Sequence, residues 1–195
     1  MKRICVFCGS NSGIREDYRS AAHALTRTLA RRGLGLVYGG GNIGLMGELA
    51  DSMLQAGGEV IGVIPRALME KEVGHQGLTA LHIVETMHQR KALMNELSDG
   101  FIALPGGFGT LDEFFEILTW SQLGIHGKAC GLLNVAGYYD NLLRMLDHAV
   151  AEKFLRPGHR QLVLAETEVE ALLQRLAGFA PSTLGKWSGA QGNFL

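Results

Sequence analysis

Proline is scarce in this 195-residue chain, with 4 residues, and cysteine scarcer, with 3. Few prolines and no repeating Gly-x-y triplet exclude a collagen-like or proline-rich chain. An odd, low cysteine count excludes a disulfide scaffold and predicts reduced thiols. Charge of either sign is in balance, 18 Lys+Arg against 19 Asp+Glu for a net charge of -1. There is no basic footprint for nucleic acid and no polybasic signal for a membrane surface, so the expected partner is a small molecule. No apolar run approaches the ~18–20 residues that span a bilayer. Met1-Lys2-Arg3 resembles the start of a signal peptide, but the run Ile4 to Cys8 stops at Gly9-Ser10-Asn11, too short for its apolar region, and a cytoplasmic location is expected. With 47% hydrophobic and 19% charged residues, disorder is excluded.

What the chain has in excess is glycine, 27 residues, roughly twice the usual ~7%. Short apolar runs at Ile4 to Cys8, Leu34 to Tyr38, Val60 to Ile64, Leu81 to Val84, Phe101 to Leu104, Gly131 to Asn134 and Leu162 to Ala165 predict strands. Helical patterns fill the gaps at Arg15 to Arg32, Gly44 to Ala56, Met87 to Ser98, Thr110 to Leu123, Tyr139 to Lys153 and Glu168 to Leu176. Strands apolar on both faces, each followed by a helix, predict a doubly wound α/β domain: a Rossmann-like, mostly parallel sheet of about seven strands with helices on both faces. One domain is expected over residues 1–180, with a mobile tail over 181–195, where periodicity is lost. Cys5-x-x-Cys8 has the spacing of a redox or zinc motif, but it falls in a strand and no second Cys/His pair follows, so buried strand residues are expected.

Several strands run into glycine at their carboxyl ends, where open α/β sheets bind ligands: Gly9-Ser10, Gly39-Gly40-Gly41 and Pro105-Gly106-Gly107. Gly39-Gly40-Gly41-Asn42-Ile43-Gly44 matches the dinucleotide pattern G-x-G-x-x-G. The acid that should close the following strand is misplaced, since Glu59 precedes Val60 to Ile64 instead of ending it, and a dinucleotide is not expected. The loop Pro105-Gly106-Gly107-Phe108-Gly109 leads into a helix read as beginning at Thr110, the form of an anion site. No G-K-[ST] follows, so phosphate would be a handle and not the reacting group. Thr110-x-x-Glu113 also reads as a capping box, which competes with a site role for Glu113.

A second capping box, Thr86-x-x-Gln89, opens the helix Met87 to Leu97. Met87, Leu93, Met94 and Leu97 form an apolar stripe with Arg90 at its centre, so the guanidinium faces inward. Burial requires an anionic partner, either a structural ion pair or a bound anion. Lys91 falls at the stripe's edge, where a lysine normally snorkels to solvent.

At these residues the chain resembles the LOG ("Lonely guy") family of cytokinin riboside 5'-monophosphate phosphoribohydrolases, often labelled lysine decarboxylase-like. The pattern P-G-G-x-G-T-x-x-E stands as Pro105 to Glu113 and M-H-x-R-K as Met87 to Lys91, with support from Cys8-Gly9-Ser10, Tyr38 to Gly47 and Leu118 to His126. Phe108 replaces the usual tyrosine of the loop. The resemblance implies hydrolysis of the N-glycosidic bond of an adenine-type nucleoside 5'-monophosphate to free base and ribose 5-phosphate, with no metal or organic cofactor, by a homodimer. It implies Arg90 and Glu113 as the catalytic pair. It implies substrate contacts at Glu72, Arg90, Lys91, Gly107, Phe108, Gly109, Thr110, Leu111, Asp112, Glu113 and Thr119. Glu72 lies in a polar run with Glu70 close by. A carboxylate near C1' suits glycosidic cleavage, which builds positive charge on the sugar. The competing reading is a nucleotide carrier without hydrolysis, because a fold alone does not separate binding from catalysis. A pyridoxal-dependent decarboxylase is a poor third, with no lysine in a cofactor-linkage setting.

Overall fold

The computed structural model describes residues 1–69 and 74–180. Seven parallel strands form one sheet: β1 (Arg3–Phe7), β2 (Gly35–Tyr38), β3 (Val60–Pro65), β4 (Ala80–Val84), β5 (Gly100–Ala103), β6 (Ala129–Leu133) and β7 (Val163–Glu166), in the order β4-β3-β2-β1-β5-β6-β7. Each run read as a strand is one, with ends displaced by one or two residues.

Alternation sends Ile4 and Val6 to one face of the sheet and Cys5 and Phe7 to the other. Against the first face pack α1 (Glu16–Arg31), α2 (Gly44–Gln55) and α8 (Val169–Ala177), through Leu25, Leu29, Leu49, Met53, Leu172 and Leu176. Against the second pack α4 (Met87–Leu97), α5 (Phe108–Gln122) and α6 (Asp140–Ala151), through Met94, Phe114, Ile117 and the half-buried Leu142, Leu143 and Leu146. Both faces are covered, which is why the strands carry no polar alternation. Three short helical turns have no signature in the apolar periodicity: α3 (Arg66–Met69), a 3-10 turn at Val135–Gly137 and α7 (Pro157–Arg160).

Cys5, Cys8 and Cys130 are buried and unbridged, as the strand reading expects. Burial pushes the Cys130 thiol up to about 12, and burial together with nearby Glu113 raises that of Cys8. Glu59 is held at the start of β3 by Arg3, 2.8 Å from Nε to Oε2, at the opposite end of the strand from any ligand crevice. The proposed tail, residues 181–195, lies outside the described residues.

Candidate active site

The sheet reverses its winding between β1 and β5, and the crevice beyond their carboxyl ends is where an open α/β sheet receives a ligand. The two strand ends are joined there, with Gly9 N–H donating to the Pro105 carbonyl at 3.1 Å. A cleft of about 250 Å³ opens at this point, lined among others by Gly9, Ser10, Gly39, Arg90, Gly107 and Glu113. All three glycine-rich strand ends therefore do meet on one rim.

The α5 entry corrects the capping-box reading. Gly107, not Thr110, is the N-cap, and no side chain caps the helix. Thr110 sits in the first turn, buried, with its hydroxyl packed so closely on Gly106 that a Cβ there would meet it at 2.1 Å. Glu113 is thereby released from folding back on Thr110 and points inward, 8% exposed. The box at α4 does form: the Thr86 side chain accepts from Gln89 N–H while the Gln89 side chain accepts from Thr86 N–H.

The box fixes the start of α4, and Arg90 follows on its inner face, 5% exposed. Met94 is buried beside it, but Met87, read as part of the same stripe, is 40% exposed and stands on the wall of the cleft. Arg90 Nη2 lies 3.6 Å from Glu113 Oε1. Arg90 Nε is buried with no hydrogen-bond partner among the described residues. A buried N–H donor without an acceptor costs on the order of 1–3 kcal/mol, so this donor is suited to an anionic or hydroxyl oxygen from a ligand.

Lys91 is not a snorkelling surface residue. Its Nζ lies 3.0 Å from Asp112 Oδ2 and 3.1 Å from Glu116 Oε2, and its side chain is mostly buried. Burial works against its charge, but the hydrogen bond it donates to Asp112 and its ion pair with Glu116 outweigh this and hold its pKa above the ordinary lysine value. Neither Lys91 nor Leu111 lines the cleft, and Thr119 is exposed further along α5 with its hydroxyl donating to the Phe115 carbonyl at 2.7 Å. Of the expected contacts the cleft unites Arg90, Gly107, Phe108, Gly109, Thr110, Asp112 and Glu113. Glu72 lies outside the described residues. Among the described residues no group of three or more His, Cys, Asp or Glu is placed to hold a metal ion.

Two features escaped the sequence. The glycine run after β2 makes room for the guanidinium rather than for a phosphate: a Cβ on Gly39 would sit 2.0 Å from Arg90 Nη2. Gly40 and Gly44 adopt φ of 76° and 56°, a backbone open to glycine at no cost. Met46 and Leu68 add apolar wall from α2 and α3, and neither carried a polar signal that could single it out.

The sequence model of a family described as a possible lysine decarboxylase matches residues 46–176. A probable cytokinin riboside 5'-monophosphate phosphoribohydrolase of Oryza sativa subsp. japonica is 51% identical over 180 residues, 92% of this chain and 79% of that protein. A cytokinin riboside 5'-monophosphate phosphoribohydrolase of Arabidopsis thaliana is 50% identical over the same shares of the two chains. The chain belongs to the LOG phosphoribohydrolase family. The solved structure of the molybdenum cofactor carrier protein from Chlamydomonas reinhardtii superposes with a TM-score of 0.68 over 91% of this chain and 98% of that one. Its 20% identity carries the likeness of fold alone. Within the LOG family frame, the two motif segments that carry the resemblance are the ones that supply Arg90 and Glu113.

Proposed function

We propose that the chain hydrolyses the N-glycosidic bond of adenine-type nucleoside 5'-monophosphates, cytokinin riboside monophosphates or AMP, to free base and ribose 5-phosphate. The observation that carries this reading is the buried Arg90–Glu113 pair opening onto a cleft beneath the N-terminus of α5. Relatives at about half identity bear the name of that reaction.

The 5'-phosphate docks on the free N–H groups of the first turn, Gly107 to Thr110, where the helix dipole favours an anion. The ribose then lies toward Glu113, one turn further along. Its carboxylate stabilises positive charge at C1' as the C1'–N bond lengthens, and orients the water whose oxygen bonds to C1'. The base leaves with the bonding electrons and takes up a proton. Arg90 binds phosphate or ribose oxygens with the Nε–H that has no partner among the described residues. Phosphate binding remote from C1' contributes through positioning, so unphosphorylated nucleosides turn over poorly. The reading needs neither metal nor organic cofactor, and in it the enzyme works in the cytoplasm.

The enzyme works as a homodimer in this reading. Lys91, Leu111 and Thr119 lie outside the cleft of their own chain, on the α4–α5 side that also exposes Phe115, Leu123 and Ile125. A second copy packed there would cover those apolar groups and bring the three expected contacts toward a substrate. Light scattering of the purified protein tests this.

Incubation with AMP and N6-isopentenyl-AMP, beside their nucleosides, followed by chromatography for base and ribose 5-phosphate, tests the reaction. Base is released from the monophosphates. Binding without release overturns the enzyme reading in favour of a nucleotide carrier.

A further inference from the structure

The loop that carries the phosphate-binding N–H groups contains two adjacent glycines, Gly106 and Gly107, and nothing in its own sequence holds the peptide between them in one orientation. The hold comes from the turn that follows the neighbouring strand, β6. Tyr138 Oη donates to the Gly106 carbonyl at 2.7 Å. Its neighbour Tyr139, buried, donates from Oη to the Leu104 carbonyl at 2.6 Å. Two consecutive tyrosines therefore grip two carbonyls of the β5–α5 connection.

The turn that presents them is strained for the purpose. Ala136 and Gly137 adopt φ of 51° and 73°, and left-handed backbone at an alanine costs on the order of 1 kcal/mol. Asn134 braces the turn, its Oδ1 accepting from Tyr139 N–H and its Nδ2 donating to Asp140 Oδ1, both at 2.7 Å. The Tyr138 ring is wedged edge-on between Tyr18 and Tyr139, with centroids 5.8 and 5.0 Å away. Tyr138, Tyr18 and Gly106 line a second cavity of about 220 Å³, which shares Gly9, Ser10 and Gly107 with the cleft of Arg90 and Glu113.

We propose that Tyr138 is a positioning residue for phosphate: by fixing the Gly106 carbonyl on its own side of the loop, it holds the Gly107 N–H on the opposite side, facing the catalytic cleft. The reason is peptide planarity. In a trans peptide the carbonyl and the following N–H point in opposite directions, and this chain has no cis bond among its described residues. Gly107 precedes the first turn of α5, so its N–H has no intrahelical acceptor and is available to a ligand. Without the tyrosine hydroxyl, a Gly-Gly peptide turns over at little steric cost, and the phosphate meets a carbonyl oxygen in place of a donor. This inference rests on the nucleotide reading above.

Tyr138→Phe keeps the ring stack and removes only the donor. Calorimetry with ribose 5-phosphate and with adenosine on wild type and variant reads the lock without turnover. The expected result is about tenfold weaker binding of ribose 5-phosphate with adenosine binding unchanged, the size of one lost charge-assisted hydrogen bond. With AMP as substrate the loss falls on KM more than on kcat. Tyr139→Phe serves as the comparison, lowering Tm without a phosphate-specific effect. Equal ribose 5-phosphate affinity in wild type and Tyr138→Phe, parallel weakening of both ligands, or no ribose 5-phosphate binding to wild type overturns the proposal. Base release by the wild type tests the enzyme reading separately.

Discussion

Gly39 is the surface against which the Arg90 guanidinium rests: a Cβ at Gly39 would lie 2.0 Å from Nη2 and 3.2 Å from Cζ. The end of β2 and the second turn of α4 are fitted to each other at the one buried arginine of the site. Gly39→Ala displaces the guanidinium from Glu113 while leaving both side chains of the proposed catalytic pair in the chain. Base release falls by about 100-fold, the scale of an ångström-level misplacement at an active site. Steady-state kinetics beside a urea melt checks that activity falls more than stability.

Glu113→Gln keeps the volume of the side chain and removes its charge. In the proposed mechanism kcat falls by about 10²–10⁴-fold with ribose 5-phosphate binding retained. Turnover at the wild-type rate would return Glu113 to a structural role.

Arg90 and Glu113 test each other. Arg90→Ala leaves a buried carboxylate without its guanidinium and lowers stability by about 3 kcal/mol. Arg90→Met with Glu113→Leu removes both charges and recovers most of that loss without recovering activity. Urea unfolding of the two single variants and the double variant gives the coupling directly.

Lys91 gives a pH signature. Its pKa is raised in the folded chain, so its contribution to stability is fully present below the ordinary lysine value and is lost as pH rises through the raised folded value. Lys91→Met is therefore less stable than wild type by a constant margin at pH 7 and 9, and the margin narrows above pH 10.5. Urea midpoints across that range check it. At the acid end Glu59 behaves in the opposite sense. The Arg3 hydrogen bond lowers its pKa, so its smaller, half-exposed contribution is present above the ordinary carboxylate range and lost as pH falls through the folded value.

The sequence by itself determined the seven strands, the six long helices and the α4 capping box. Each of these depends on apolar periodicity or on residues within one turn of each other, and at these elements the tertiary packing agrees with the local preference. It also supplied Arg90 and Glu113 as chemically competent groups, and an arginine in an apolar helical stripe already required an anionic partner. Only the tertiary structure decided between the alternatives those residues left open. Thr110 and Glu113 have the spacing of a cap, but Gly107 takes that place because Thr110 is drawn against Gly106. Lys91 has the pattern of a solvated residue, yet two carboxylates from α5 reach it across a helix–helix contact. Gly39 and Tyr138 belong to strands and turns far along the chain from the groups they hold. Their roles are distances between elements, and distances of that kind are set by how the sheet is wound, not by any stretch of sequence.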